Sequence, residues 1–127
     1  MRITPAAAQG AGLVLILVTG AIHLIDAPSS FGDAPYKGWL FVANGVAAIV
    51  AAVGIARARR WGWILGLLVA GGAFVGYVIS RTVGLPGLEP DVWLEPIGVL
   101  SLLVEATFVV LFVLTRREAP RDNTLQG

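Results

Sequence analysis

Four apolar stretches, residues 6–25, 38–56, 61–80 and 96–115, fill most of this 127-residue chain and leave room only for three short connections. Each is about 20 residues long, and at a rise of about 1.5 Å per residue that matches the roughly 30 Å hydrocarbon core of a bilayer. A water-soluble domain has charged residues at nearer a quarter of its length; here they are 13%, against 57% hydrophobic. The spacing predicts an all-α membrane protein, an antiparallel bundle of four transmembrane helices forming a single domain over residues 1–115, followed by a polar cytoplasmic tail, 116–127.

Charge placement predicts the orientation. With the N-terminus inside, the inner side carries Arg2, Arg57, Arg59, Arg60, Arg116, Arg117 and Arg121, while the outer loops carry only Lys37 and Arg81. That asymmetry follows the positive-inside rule for short loops, so the expected location is the cell's inner (plasma) membrane with both termini cytoplasmic. Tyr36, Trp39, Tyr77 and Trp93 fall near the outer boundary and Trp61 and Trp63 near the inner one, where aromatic anchors belong. Arg2 ahead of an apolar run, with Ala27 after it, also fits a cleaved secretory leader. Against that reading, the run is longer than a usual leader core, and His23 and Asp26 stand where small residues are wanted.

Local punctuation sets the connections. Pro28 and Pro35, with Ser29, Ser30, Gly32 and Asp33 between them, predict a non-helical outer loop over 27–37. The second connection, 57–60, is so short that its flanking helices must be antiparallel neighbours. Gly84, Pro86, Gly87 and Pro90 mark the third, 81–95, and Pro96 suits the first turn of the last helix. Small residues at four-residue spacing, Gly62/Gly66/Ala70 and Gly72/Gly76/Ser80 on the third stretch and Gly45/Ala48/Ala52 on the second, allow close backbone approach. They predict that the second and third helices form the inner pair of the bundle; the same rows also fit contacts between copies or with another membrane protein.

Net charge +1 gives no basic footprint for nucleic acid, and the absence of cysteine removes disulfides, thiolate metal sites and thiol redox chemistry. What remains is a set of polar residues that lipid makes expensive. Glu105 lies nine residues after Pro96, about 13 Å along the last helix and near the bilayer midplane, so it must be protonated, paired or set against a wet cavity. Ser101 and Gly98 continue its face. Asn44, about 9 Å below the outer end of the second helix, is the expected interhelical partner of Glu105. Thr19, His23 and Asp26 share one face of the first helix, where a carboxylate can orient an imidazole. Arg81, facing the outer acids Asp26, Asp33, Glu89, Asp91 and Glu95, should be paired with Glu95 or reach inward to Glu105; Tyr77 lies one turn before it. A pocket opening outward between the first, third and fourth helices would unite these groups, giving His23, Asp26, Asn44, Tyr77, Arg81, Glu95 and Glu105 as candidate ligand- or partner-binding residues.

The run YVISRTVGLPGLEPDVWLEPIGVLSLLVE, with HLIDAP upstream, resembles a family of small bacterial four-span integral membrane proteins. In these, a His-bearing first span precedes a Pro/Phe-containing outer loop, and a Ser-Arg-Thr-x-Gly-Leu-Pro segment precedes a Glu-bearing last span. The resemblance covers most of residues 13–113 and implies a membrane location and four spans; the family has no assigned activity, so no catalytic residue follows from it.

Other classes fit less well. Small multidrug exporters are similar in size but carry their essential Glu in the first span. A haem bundle needs axial ligands on facing helices, and His23 offers one. A metal site would have to draw on oxygens such as Asp26, Glu95 and Glu105. Apart from Ser80 or Ser101 with distant His23, no nucleophile–base pair exists. The two halves show no convincing repeat. The expectation is a non-enzymatic membrane protein without metal or cofactor that binds a partner or ligand through its outer face; the alternative is a proton-coupled small-molecule transporter using Glu105. A reporter fused after Gly127 should be active only on the cytoplasmic side, and an external signal would overturn the topology.

Overall fold

The structure, a computed structural model, describes residues 3–118. Four helices follow one another: α1 (Pro5–Asp33), α2 (Pro35–Ala56), α3 (Arg60–Arg81) and α4 (Pro96–Glu118). The described residues contain no strand. All four helices are long and apolar enough to cross a membrane. Arg2, Arg121 and the tail beyond Glu118 lie outside the described residues.

Each helix packs on the next and α4 returns to α1, giving an up-down-up-down ring with α1/α3 and α2/α4 on its diagonals. One end holds the start of α1, the α2–α3 turn and the end of α4; the other holds the α1–α2 junction and the long loop 82–95. No two helices form an inner pair, contrary to the expectation for α2 and α3. The small residues are shared instead: Gly20 and Ala48 join α1 to α2, Gly54 and Gly62 join α2 to α3, and Gly66 receives Phe108 of α4.

The expected outer loop over 27–37 is helical except at one residue. α1 runs through Pro28 to Asp33, and Ala34 alone is extended, at φ −163° and ψ 142°. Proline at position 28 removes one backbone donor but leaves the remaining ladder intact, and Ala27 and Ser30 are buried against the bundle. The break falls at Ala34 because Pro35 disfavours helical backbone in the residue before it, and Pro35 then opens α2 in the first turn, where its missing N–H is not needed. At the opposite end Gln9 Nε2 donates to the carbonyls of Ile55 (2.9 Å), which also accepts from the Ala58 N–H, and Ala56 (3.1 Å), tying α1 to the end of α2.

The outside of the bundle is apolar and the inside is not uniformly so. Val14, Ile25, Leu68 and Leu103 are exposed, whereas Thr19, His23, Ser101 and Glu105 are buried. The dry part of the interior is built from Ile16, Ala48, Ala51, Ala52, Ile55, Val69, Ala70 and Phe108. Trp63, expected as an interfacial anchor, belongs to this packing. Its ring stacks on Phe108 with centroids 5.6 Å apart and covers Gly12 of α1.

The two glycine rows of α3 do different things. A Cβ built on Gly62 would collide with the backbone of Gly54 and Ile55, whereas one on Gly72 or Gly76 meets nothing within 4 Å. Gly62→Ala should therefore lower stability by about 1–3 kcal/mol through forced separation of α2 and α3. Gly76→Ala should raise it by about 0.4–1 kcal/mol, since only the helix preference changes. Reversible unfolding of the purified protein in detergent checks both signs.

Candidate functional site

The open space beside Gly72 and Gly76 is part of a cavity of about 560 Å³ at the loop end of the bundle. All four helices and the loop 82–95 line it; α2, named from sequence only for Asn44, joins the three helices between which the pocket was expected. His23, Asp26, Asn44, Tyr77, Arg81, Glu95 and Glu105 all lie on its wall. A smaller recess of about 200 Å³ adjoins it and shares Asp33, Lys37, Ser80 and Asp91.

Glu105 lies at the deep end. It is 1% exposed, and Ser101, one turn earlier on α4, donates its hydroxyl to Oε1 at 2.6 Å. Oε2 has no hydrogen-bond partner. His23 reaches across from α1 with Nε2 3.9 Å from Glu105 Oε1. Its Nδ1 lies 2.8 Å from the carbonyl oxygen of Thr19, an acceptor only, so Nδ1 carries a proton, and whenever the ring is neutral its lone pair is at Nε2. The His23 ring tilts on Phe41 of α2, centroids 5.0 Å apart.

Asn44 does not bond to Glu105 as expected. Its Nδ2 donates to the carbonyl of Val69 on α3 at 3.2 Å, because α3 rather than α4 is the neighbour of α2 in the ring. Its Oδ1 is left without a partner.

At the mouth Arg81 pairs with Glu95, not with Glu105: Nη2 lies 3.2 Å from Glu95 Oε2. The contact is single, not the bidentate clamp, because the other donors are engaged. Nε donates to the carbonyl of Val92 at 3.1 Å and Nη1 to Ser80 Oγ at 2.6 Å. The guanidinium also stacks 3.9 Å over the ring of Tyr77, whose hydroxyl donates to the carbonyl of Trp93. Gly98 permits this crowding, since a Cβ there would sit 2.8 Å from Tyr77. Asp91 N–H donating to the carbonyl of Ser80 and Tyr36 hydroxyl donating to that of Pro86 complete the attachment of the loop. Gly84 and Gly87 turn it with φ of 84° and 76°, where a side chain is strained.

Lys37, not among the residues singled out from sequence, is buried at the mouth with Nζ 2.6 Å from Asp33 Oδ2. Asp33 ends α1 and Lys37 lies in the first turn of α2, so the pair bridges the break at Ala34; opposite charges four residues apart were the signal, hidden by reading that segment as loop. Phe41 carries a similar signal: Lys37, Phe41 and Asn44 recur at helical spacing on one face of α2.

No family model, curated protein or solved structure matches this chain.

Arg81 therefore acts as a staple between α3, the loop and the head of α4. Arg81→Lys keeps the charge but removes the stacking and the fork of donors. It should speed amide hydrogen exchange over 82–95 and lower stability by about 1 kcal/mol, with exchange in the 61–70 segment unchanged. Equal protection of the loop in both proteins would refute the staple.

Proposed function

We propose that this protein is a non-enzymatic, multi-pass membrane module that binds a small ligand in the cavity at its loop end, reached from the outer side of the cell's inner membrane. The observation that carries this reading is a cavity of ligand size whose deep wall holds two residues with unpartnered acceptors, Glu105 and Asn44. Packing alone accounts for neither atom, because burying a polar group without a hydrogen bond costs about 1–3 kcal/mol. The glycines at 72 and 76 support the same reading: they keep the space clear where no neighbouring helix requires them small.

The orientation rests on the exposed arginines of the α2–α3 turn, Arg57, Arg59 and Arg60, at the end opposite the cavity. The acidic loop 82–95 then faces outward, where a membrane-protein partner or a second copy of the chain has access to it.

The transporter reading has one observation in its favour, the approach of His23 to Glu105, two proton-exchanging groups on different helices. The binding module is the better supported because the deep end of the cavity is closed by packed side chains beyond Glu105.

The test is a cavity block. Gly76→Leu places a branched side chain into open space without touching the helix contacts. A panel of small amphiphiles screened by thermal unfolding of the detergent-purified protein should contain compounds that raise Tm of the wild type and not of Gly76→Leu. A panel that raises neither, or raises both alike, would remove the binding assignment. Proteoliposomes loaded with a pH-sensitive dye separate the rival: solute-driven proton flux abolished by Glu105→Gln would establish transport.

A further inference from the structure

The hydrogen-bonding inventory of the cavity is lopsided. At its deep end three acceptors lack a hydrogen: Glu105 Oε2, Asn44 Oδ1 and, in the tautomer set by Thr19, His23 Nε2. The donors around them are already committed. Ser101 donates to Glu105 Oε1, Asn44 Nδ2 to Val69 and His23 Nδ1 to Thr19. What would complete this end is a group that gives several hydrogens and accepts none.

Charge points the same way. The acids on the cavity wall are Asp26, Asp33, Asp91, Glu95 and Glu105, against the cations Lys37 and Arg81. Lys37 is paired with Asp33 and Arg81 with Glu95, both at the mouth. Among the described residues Asp26, Asp91 and Glu105 have no Lys or Arg within ion-pair distance. Among the described residues no three acidic or histidine side chains converge as metal ligands. Ile22, Leu40, Phe41 and Ile97 supply apolar groups to the cavity wall.

Building on the ligand-binding assignment above, we infer that the cavity takes a small primary ammonium ion with a short hydrocarbon body. Its N–H groups are received by Glu105 Oε2, Asn44 Oδ1 and His23 Nε2, and its body lies along the apolar wall. A primary ammonium has three donors and no acceptor, which matches the deficit, and its charge neutralises a carboxylate that lipid would otherwise leave uncompensated. The acids at the mouth attract such a cation, and the two committed basic groups do not repel it strongly because each is held on a carboxylate.

Three probes of one length decide the matter: hexylammonium, hexanol and hexanoate, titrated by calorimetry into the full chain in detergent. Hexylammonium should bind saturably and at least about tenfold tighter than either isostere, the scale of a hydrogen bond to a charged group. Glu105→Gln should erase that preference, and so should Asn44→Leu, which removes an acceptor without disturbing Ser101 and serves if the first variant fails to fold. Asp26→Asn, half-buried at the mouth, should weaken hexylammonium about twofold through lost attraction alone. Hexanol or hexanoate binding as well as hexylammonium, in a manner that Gly76→Leu abolishes, would overturn the ammonium assignment and leave the cavity reading standing. Hexylammonium binding unchanged by Glu105→Gln, Asn44→Leu and Asp26→Asn would overturn it likewise. No binding that Gly76→Leu removes would overturn both.

Discussion

Hydrocarbon neither donates nor accepts a hydrogen bond, and in this chain that single property decides which residues face out and which face in. The backbone meets the constraint by being helical almost without interruption, to the point that α1 continues through Pro28 and the α1–α2 junction shrinks to Ala34. The side chains meet it by satisfying polar groups locally: buried Thr19 and exposed Thr107 both return their hydroxyls to carbonyls one turn earlier, and Gln9 donates to the end of α2. Glu105, His23 and Asn44 have no local solution of that kind. They can be held only where the bundle offers partners or space, and this ties the site to the fold.

Close packing and open space are consequently divided along the bundle. Toward the α2–α3 turn, Gly54 and Gly62 bring two backbones together, Gly66 admits Phe108 and Gly12 admits Trp63, producing a dry core from small residues and a few large rings. Toward the loops, the helices separate around Gly72 and Gly76, and Arg81, Tyr77 and Tyr36 hold the loop 82–95 across the gap. The same residue type thus serves contact at one end and vacancy at the other; which role a glycine has depends on what lies opposite it on the next helix.

That dependence explains how far the sequence could be read. The four helices, the tight α2–α3 turn and the Ser101–Glu105 stripe were legible, because each rests on spacing along the chain; for Arg81 the sequence left Glu95 and Glu105 both open, and the fold chooses Glu95. The pairing of Asn44 was not, since it turns on whether α3 or α4 neighbours α2, and helix order around a ring leaves no periodic trace. The loop at 27–37 was misjudged because Pro28 was weighed as a breaker, whereas in an apolar setting the burial of Ala27 and Ser30 outweighs one lost hydrogen bond. Lys37 was overlooked for the same reason, and Trp63 was assigned by its distance along the chain when the face it occupies, toward Gly12 and Phe108, decides its role.

The position of Phe108 bears on what the cavity can be used for. It lies three residues beyond Glu105 on α4, is fully buried, fits against Gly66 of α3 and stacks on Trp63. A solute that reached Glu105 would meet this pair of rings and, past them, the contact region built on Gly54, Gly62 and Ile55. Passage to the opposite face would require Phe108 to leave Gly66 and Trp63, and the loss of such an aromatic pair costs about 0.5–1.5 kcal/mol beyond the apolar area re-exposed. Entry and exit by the same mouth require no such rearrangement. On the binding reading proposed above, the packed half of the bundle beyond Glu105, with Phe108 against Gly66 and Trp63, holds Glu105 and His23 in place.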